Sequence, residues 1–168
     1  MSLRIIAALM FVSAGAVIGI SSSEKLKDNR NICREIGEMF RISSVAIRYR
    51  GMNVYELAST LQKSESLKSL TFLQNISTEY SPRENFHQVW KKAAENQSGL
   101  LQDELKLICD FGRILGTSDI EGQLSSISAL EVELNYLENT RLENYRQKGK
   151  LYRSLGVLFG VMVGIIVI

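Results

Sequence analysis

Charge is distributed along this chain in a way that limits what it can fold into. Every acid, and every base except Arg4, lies between Glu24 and Arg153. The two ends, Ile5–Ile20 and Ser154–Ile168, carry no charge at all. A bilayer-spanning helix needs about 20 apolar residues. Each run is slightly short and would recruit neighbours or thin the membrane locally. Ser21–Ser23 and Leu151–Tyr152 can serve, with Tyr152 and Arg153 at headgroup level. The expected organisation is an N-terminal transmembrane anchor over residues 1–23, a cytoplasmic helical bundle over 24–150 and a C-terminal anchor over 151–168.

A cleaved signal peptide is the alternative for the first run. Arg4 would be the basic region, Ile5–Val12 the apolar region and Ala14-Gly15-Ala16 the small-residue site. The product would be a C-terminally anchored, extracytoplasmic helical domain that binds envelope ligands. The flanking charges favour the anchor. Lys25, Lys27, Arg30, Arg34 and Arg41 follow the first run, and Arg141, Arg146, Lys148, Lys150 and Arg153 precede the second. Basic residues beside membrane segments stay cytoplasmic.

Between the ends the pattern is helical. The chain has one Pro, which permits long uninterrupted helices. Leu26, Ile32, Cys33, Ile36, Phe40, Val45 and Ile47 follow three-and-four spacing and predict a helix over 24–50, closed by Gly51. That helix can continue straight out of the first anchor. Asn53 caps a second helix to about Gln62. Leu67, Leu70, Leu73 and Ile76 predict a third over 64–79. Ser81-Pro82 is a cap followed by proline at the first helical position, and predicts a fourth with Phe86, Val89, Trp90 and Ala93 on one face. After a turn at 96–99, a fifth runs to Leu115 and stops at Gly116, with φ > 0. The sixth opens with Ser118 and Glu121 as a capping box. It continues through Ile120, Leu124, Ile127, Leu130, Leu134 and Leu137, then a polar stalk from Arg141 to Arg153, to the chain end. A break near Gly149 is the alternative, because glycine costs a helix about 1 kcal/mol. The fold class is therefore all-α: an antiparallel bundle of about six helices flanked by two transmembrane helices.

No catalytic constellation emerges. One His and two Cys are too few for most metal sites, and no cofactor or small-molecule substrate is expected. Cys33 and Cys109 read as small apolar residues in a reducing compartment. Asp110-Phe111-Gly112 spells a kinase magnesium motif without the rest of a kinase, and reads as helix. His87 is a lone histidine with no nucleophile placed beside it. The paired acids Asp103/Glu104 and Glu131/Glu133 read as solvated helix surface. Arg48-Tyr49-Arg50 is a weak nucleic-acid signal, unsupported by a formal charge of +2.

Two features point to association instead. Gly156, Gly160 and Gly164 repeat every four residues on one stripe, and Gly15 with Gly19 form a shorter one. Such stripes let helix backbones approach closely in lipid, pairing the anchors with each other or with another protein. The second feature is the turn before the last helix. Asp119 and Gln123 lie one helical turn apart, with Arg113 nearby. They form either an internal Asp119–Arg113 ion pair or a corner that docks a partner.

Phe111-Gly112-Arg113-Ile114-Leu115-Gly116-Thr117-Ser118-Asp119, then Gln123, and later Tyr152-Arg153-Ser154-Leu155-Gly156, closely resemble the stage III sporulation protein AB family of endospore-forming bacteria. The segments Gly51–Leu61 and Ser81–Ala93 match its helix starts more loosely. The resemblance implies a non-enzymatic membrane component of the transenvelope complex joining mother cell and forespore. It places the chain in the outer forespore membrane, with its soluble domain in the mother-cell cytoplasm. The soluble domain would be similar to the helical platform domains of type II secretion and type IV pilus machines. The implied partners are the sporulation-complex ATPase, other membrane subunits of the same complex and membrane lipid.

Overall fold

The computed structural model describes the backbone of residues 2–167, and side chains chiefly between 24 and 151. It contains five α-helices and, among the described residues, no strand. These are α1 (Ser2–Arg50), α2 (Val54–Gln62), α3 (Phe86–Glu95), α4 (Gln102–Ile114) and α5 (Ile120–Val167). Two 3-10 segments, Glu65–Leu67 and Thr71–Asn75, lie between α2 and α3. The chain divides into two compact units, residues 31–138 and residues 1–30 with 139–168. In the second unit both segments are helical.

The all-α class holds, while the expected count of six bundle helices does not. α1 runs without a break through the expected anchor boundary, and α5 runs unbroken through Gly149. Among the described residues, no helix is long and apolar enough to cross a membrane. The packing expected at Gly15, Gly19, Gly156, Gly160 and Gly164, and most side chains of the two charge-free runs, fall outside what the structure describes.

Within 31–138, local chemistry sets the helix ends. Gly51 terminates α1 at φ +57°, its N–H reaching Ile47 O at 3.3 Å. A left-handed residue there closes the helix, and glycine adopts it without a Cβ penalty. Asn53 then caps α2. Its Oδ1 accepts from the Tyr55 and Glu56 N–H groups at 3.0 Å each, and Glu56 accepts the Asn53 N–H at 3.2 Å. That is a complete capping box.

The predicted third helix over 64–79 is instead the pair of 3-10 segments. Leu67, Leu70, Leu73 and Ile76 are all buried and recur every third residue. Three is the 3-10 period, not that of an α-helix. Their N–H groups bond three residues back, to Ser64, Leu67, Leu70 and Leu73 O. Side chains from other elements hold the remaining polar backbone. Gln62 Nε2 donates to Leu73 O and Ile76 O, both at 2.8 Å. Gln97 donates to Ser69 O at 2.9 Å and accepts the Phe72 N–H at 3.0 Å. Glu35 accepts both the N–H and the hydroxyl of Ser69, at 2.7 and 2.6 Å.

The predicted start of α3 also moves. Ser81 and Pro82 lie in a turn, and Asn85 is the N-cap, accepting the His87 N–H at 2.9 Å. Trp90 of α3 packs directly on α4 at Gly112, which has no side chain. A Cβ on Gly112 would fall 2.1 Å from Trp90 Cδ1. The indole lies across that space and donates to Ile108 O at 2.9 Å. Trp90 also packs on Phe72 and Phe111, with ring centroids 5.3 and 5.6 Å away, and Phe111 stacks on Phe40 at 4.9 Å. These rings join α1, α3, α4 and the second 3-10 segment in one core.

Candidate functional site

The turn from α4 to α5 is built from the residues singled out in the sequence, with altered roles. Gly116 has φ +70°, as expected of a residue that stops α4. A Cβ there would also approach Val54 Cγ1 to 3.0 Å. The cap of α5, however, is Asp119 and not Ser118. Asp119 Oδ1 accepts the Gly122 N–H at 3.0 Å. Ser118 Oγ donates instead to Asp119 O at 3.4 Å. The cap sits one residue later because the Asp119 carboxylate takes the N–H of the third helical residue, while the Ser118 hydroxyl is turned to Asp119 O. A Cβ at Gly122 would lie 2.8 Å from Asp119 Oδ1 and 2.9 Å from Ser118 Oγ. The expected Ser118–Glu121 capping box does not form, and Glu121 is exposed.

Gln123 closes the turn from its other side. Its Oε1 accepts the Gly116 N–H at 2.9 Å, and its Nε2 donates to Ser118 O at 2.8 Å. Arg113 does not join them; it pairs with Asp110 at 2.9 Å. Of the three candidate partner contacts, Asp119 and Gln123 therefore also hold the turn, and Arg113 lies on α4 with its charge directed to Asp110.

Gly116 and Gln123 line a cleft of about 290 Å³ where the ends of several elements converge. Ile47 from α1, Val54 and Leu57 from α2, and Leu115 after α4 supply apolar walls. Asn53, His87 and Gln123 supply polar groups. His87 Nδ1 is 2.8 Å from Gly112 O. A carbonyl only accepts, so Nδ1 carries the hydrogen and Nε2 is the ring nitrogen left over. The mixture of apolar walls and a few polar groups suits binding. Among its lining residues no nucleophile is paired with a base.

Residues near one another along the chain give little warning of this cleft. Ile47, Val54, His87 and Leu115 come from four separate segments, and His87 reads from sequence as a bland surface or packing histidine. The signal that is available is the pair of turn glycines, Gly51 and Gly116, both with φ > 0.

Several polar groups elsewhere hold the fold. An open groove of about 350 Å³ is lined by Asn31, Arg34, Glu35, Glu38 and Ser66. Glu35 there holds Ser69, and Glu38 accepts from Arg41 Nε at 2.8 Å. The hydrogen bond from Arg41 keeps the Glu38 carboxyl below its ordinary range. Glu104 is not solvated surface as its neighbour Asp103 suggested: it is 1% exposed. Buried Cys33 donates to it at 3.5 Å. Burial pushes the Cys109 thiol up from its ordinary value. Among the described residues no group of three or more His, Cys, Asp or Glu could hold a metal ion. Asp110-Phe111-Gly112 is part of α4, with Phe111 and Gly112 buried.

The family model of stage III sporulation protein AB matches residues 4–168. The chain belongs to the stage III sporulation protein AB family. No curated protein and no solved structure gives a significant match. The stage III sporulation protein AB match spans the bundle and both charge-free ends, so it includes the cleft and the turn from Leu115 to Gln123.

Proposed function

We propose that this chain is a non-enzymatic platform of the sporulation complex that joins mother cell and forespore. Residues 1–23 and 151–168 anchor it in the outer forespore membrane, and the bundle faces the mother-cell cytoplasm. There it couples a cytoplasmic ATPase to the other membrane subunits. Membership of a sporulation family supports the setting. The charge-free ends and the basic residues beside them support the anchoring.

The cleft beside Gly116 is the observation that carries the docking role. Its floor is apolar, its walls come from rigid helix ends, and its turn is held on both sides by Gln123. A pocket of this kind receives one bulky side chain of a partner, and such central anchors dominate interface energetics. The test is Met52→Glu. Met52 lines the cleft and is only half-buried. Met52 also packs on the edge of the core, so the variant should melt somewhat below the wild type yet stay folded, while co-purification of the ATPase falls about tenfold or more. Undiminished co-purification would mean that the ATPase docks elsewhere.

A further inference from the structure

Two exposed helix surfaces of residues 31–138 carry the same apolar pair, and the charges that flank them in the sequence are of opposite sign. On α1, Val45 and Tyr49 lie one turn apart and are 46% and 76% exposed. On α5, Val132 and Tyr136 lie one turn apart and are 70% and 78% exposed. Single exposed apolar residues are ordinary. Here each surface carries the same Val-x-x-x-Tyr pair, flanked by charges of a single sign.

The α1 pair is surrounded by bases. Arg41, Arg48 and Arg50 lie in a stretch with no acid between Glu38 and Glu56. Arg41 is tied to Glu38, which leaves Arg48 and Arg50 outside every ion pair among the described residues. The α5 pair is surrounded by acids. Asp119, Glu121, Glu131, Glu133 and Glu138 lie in a stretch with no Lys or Arg between Arg113 and Arg141. Asp119 caps its helix and Glu133 pairs with Lys106 at 2.8 Å. Glu121, Glu131 and Glu138 form no ion pair among the described residues. Small exposed residues, Ser125 and Ala129, continue the α5 stripe towards Glu121 at helical spacing.

We propose that copies of this chain associate head to tail, the Val45–Tyr49 surface of one copy seating on the Val132–Tyr136 surface of the next. Charge complementarity selects this occupant. Matching each surface with itself would set Arg against Arg or Glu against Glu, and like charges disfavour such a pairing. Matching one with the other sets Arg48 and Arg50, beside Tyr49, against Glu131 and Glu138, which flank Val132 and Tyr136, around an aromatic centre. Tyr and Arg are the residue types that most enrich interface centres. Each copy uses one surface to give and the other to receive, so the contact is heterologous. Repetition generates a ring where the rotation closes and a filament where it does not. None of Val45, Tyr49, Val132 and Tyr136 lines the cleft beside Gly116, so the association is independent of ATPase docking.

The test uses full-length chain in native membranes. Two differently tagged copies are expressed together, one with Tyr49→Cys and the other with Tyr136→Cys, and the membranes are briefly oxidised. Both positions are exposed, so neither change disturbs the core. Each single variant, retaining Cys33 and Cys109, supplies its own background. The expected product is a disulfide-linked species bearing both tags. Arg48→Glu with Arg50→Glu on the first copy should lower its yield about fivefold. Glu131→Arg with Glu138→Arg on the second copy should restore it. The proposal is overturned by a dual-tag yield no higher than the single-variant background, by cross-links only between like positions, by cross-links only to a different polypeptide, or by a yield indifferent to the Arg reversal.

Discussion

At the scale of single residues, two positions carry contacts that a conservative substitution would disturb. Gly112 leaves the space that the Trp90 ring occupies, and a methyl in its place would come within 2.1 Å of that ring, which leaves no slack. The atom met is part of a fully buried ring that is also fixed by its bond to Ile108 O. Gly112→Ala should therefore destabilise the bundle by about 1–3 kcal/mol, the range for overpacking a filled core, although alanine is the better helix former. Chemical denaturation measures it, and a double variant with Trp90→Leu should be clearly non-additive, since the two residues share one space. Asp119 is the second such position. Because its carboxylate caps α5, Asp119→Ala should cost on the order of 1 kcal/mol, while Asp119→Asn, which keeps an equivalent acceptor, should cost much less. Equal losses for the two would show that the negative charge, and not the capping bond, is what the turn uses. The spacing of Ser118 to Glu121 places the cap at Ser118. It lies one residue later because the shorter-range competitor, the Asp119 carboxylate, takes the Gly122 N–H, a competition that a Ser-x-x-Glu pattern does not contain.

At the scale of elements, legibility depends on how local the decisive contacts are. The ends of α1 and α2 are readable because Gly51, Asn53 and Glu56 act on backbone groups within four residues of themselves. The 3-10 segments are not, although the three-residue spacing of Leu67, Leu70, Leu73 and Ile76 is visible. What fixes them comes from Glu35, Gln62 and Gln97, on other segments of the chain. The same reason hides the cleft, whose walls arrive from four segments. If side chains from outside hold this strap, removing one should loosen it locally and leave the helices intact. Gln62→Leu keeps the bulk of the side chain and deletes the donors to Leu73 O and Ile76 O. Losing hydrogen bonds to half-buried carbonyls should cost about 1–3 kcal/mol. Hydrogen exchange should show faster exchange confined to about residues 70–77, with α4 protection lowered only by the global loss. Uniform acceleration across the bundle would mean that the strap unfolds only with the whole.

At the scale of the whole molecule, the sequence separates the bundle from its ends through charge alone. The apolar residues between Glu24 and Arg153 recur with helical spacing and find a core in the bundle, as Ile36, Phe40, Leu107 and Phe111 do. The terminal runs lack that alternation, and nothing charged interrupts them. The proposed orientation rests on the basic residues beside the runs. Lys25 and Lys27 follow the first run, and Lys148 and Lys150 precede the second; both pairs favour the cytoplasmic side for the intervening bundle. A retained N-terminal anchor and a cleaved signal peptide put the bundle on opposite sides of the membrane, so one measurement separates them. The loop between α3 and α4 is the place to make it. Gly99 is exposed, at φ +86°, with nothing within 4 Å of a Cβ built there, and exposed loop tips tolerate insertions best. A reporter that works only in cytoplasm, inserted between Ser98 and Gly99, should be active, and the mature chain should still begin near Met1. Activity of an extracytoplasmic reporter at the same site, together with loss of residues 1–16, would reverse the orientation. It would also remove the ATPase from reach, because a cytoplasmic partner cannot meet a cleft on the other side of the bilayer.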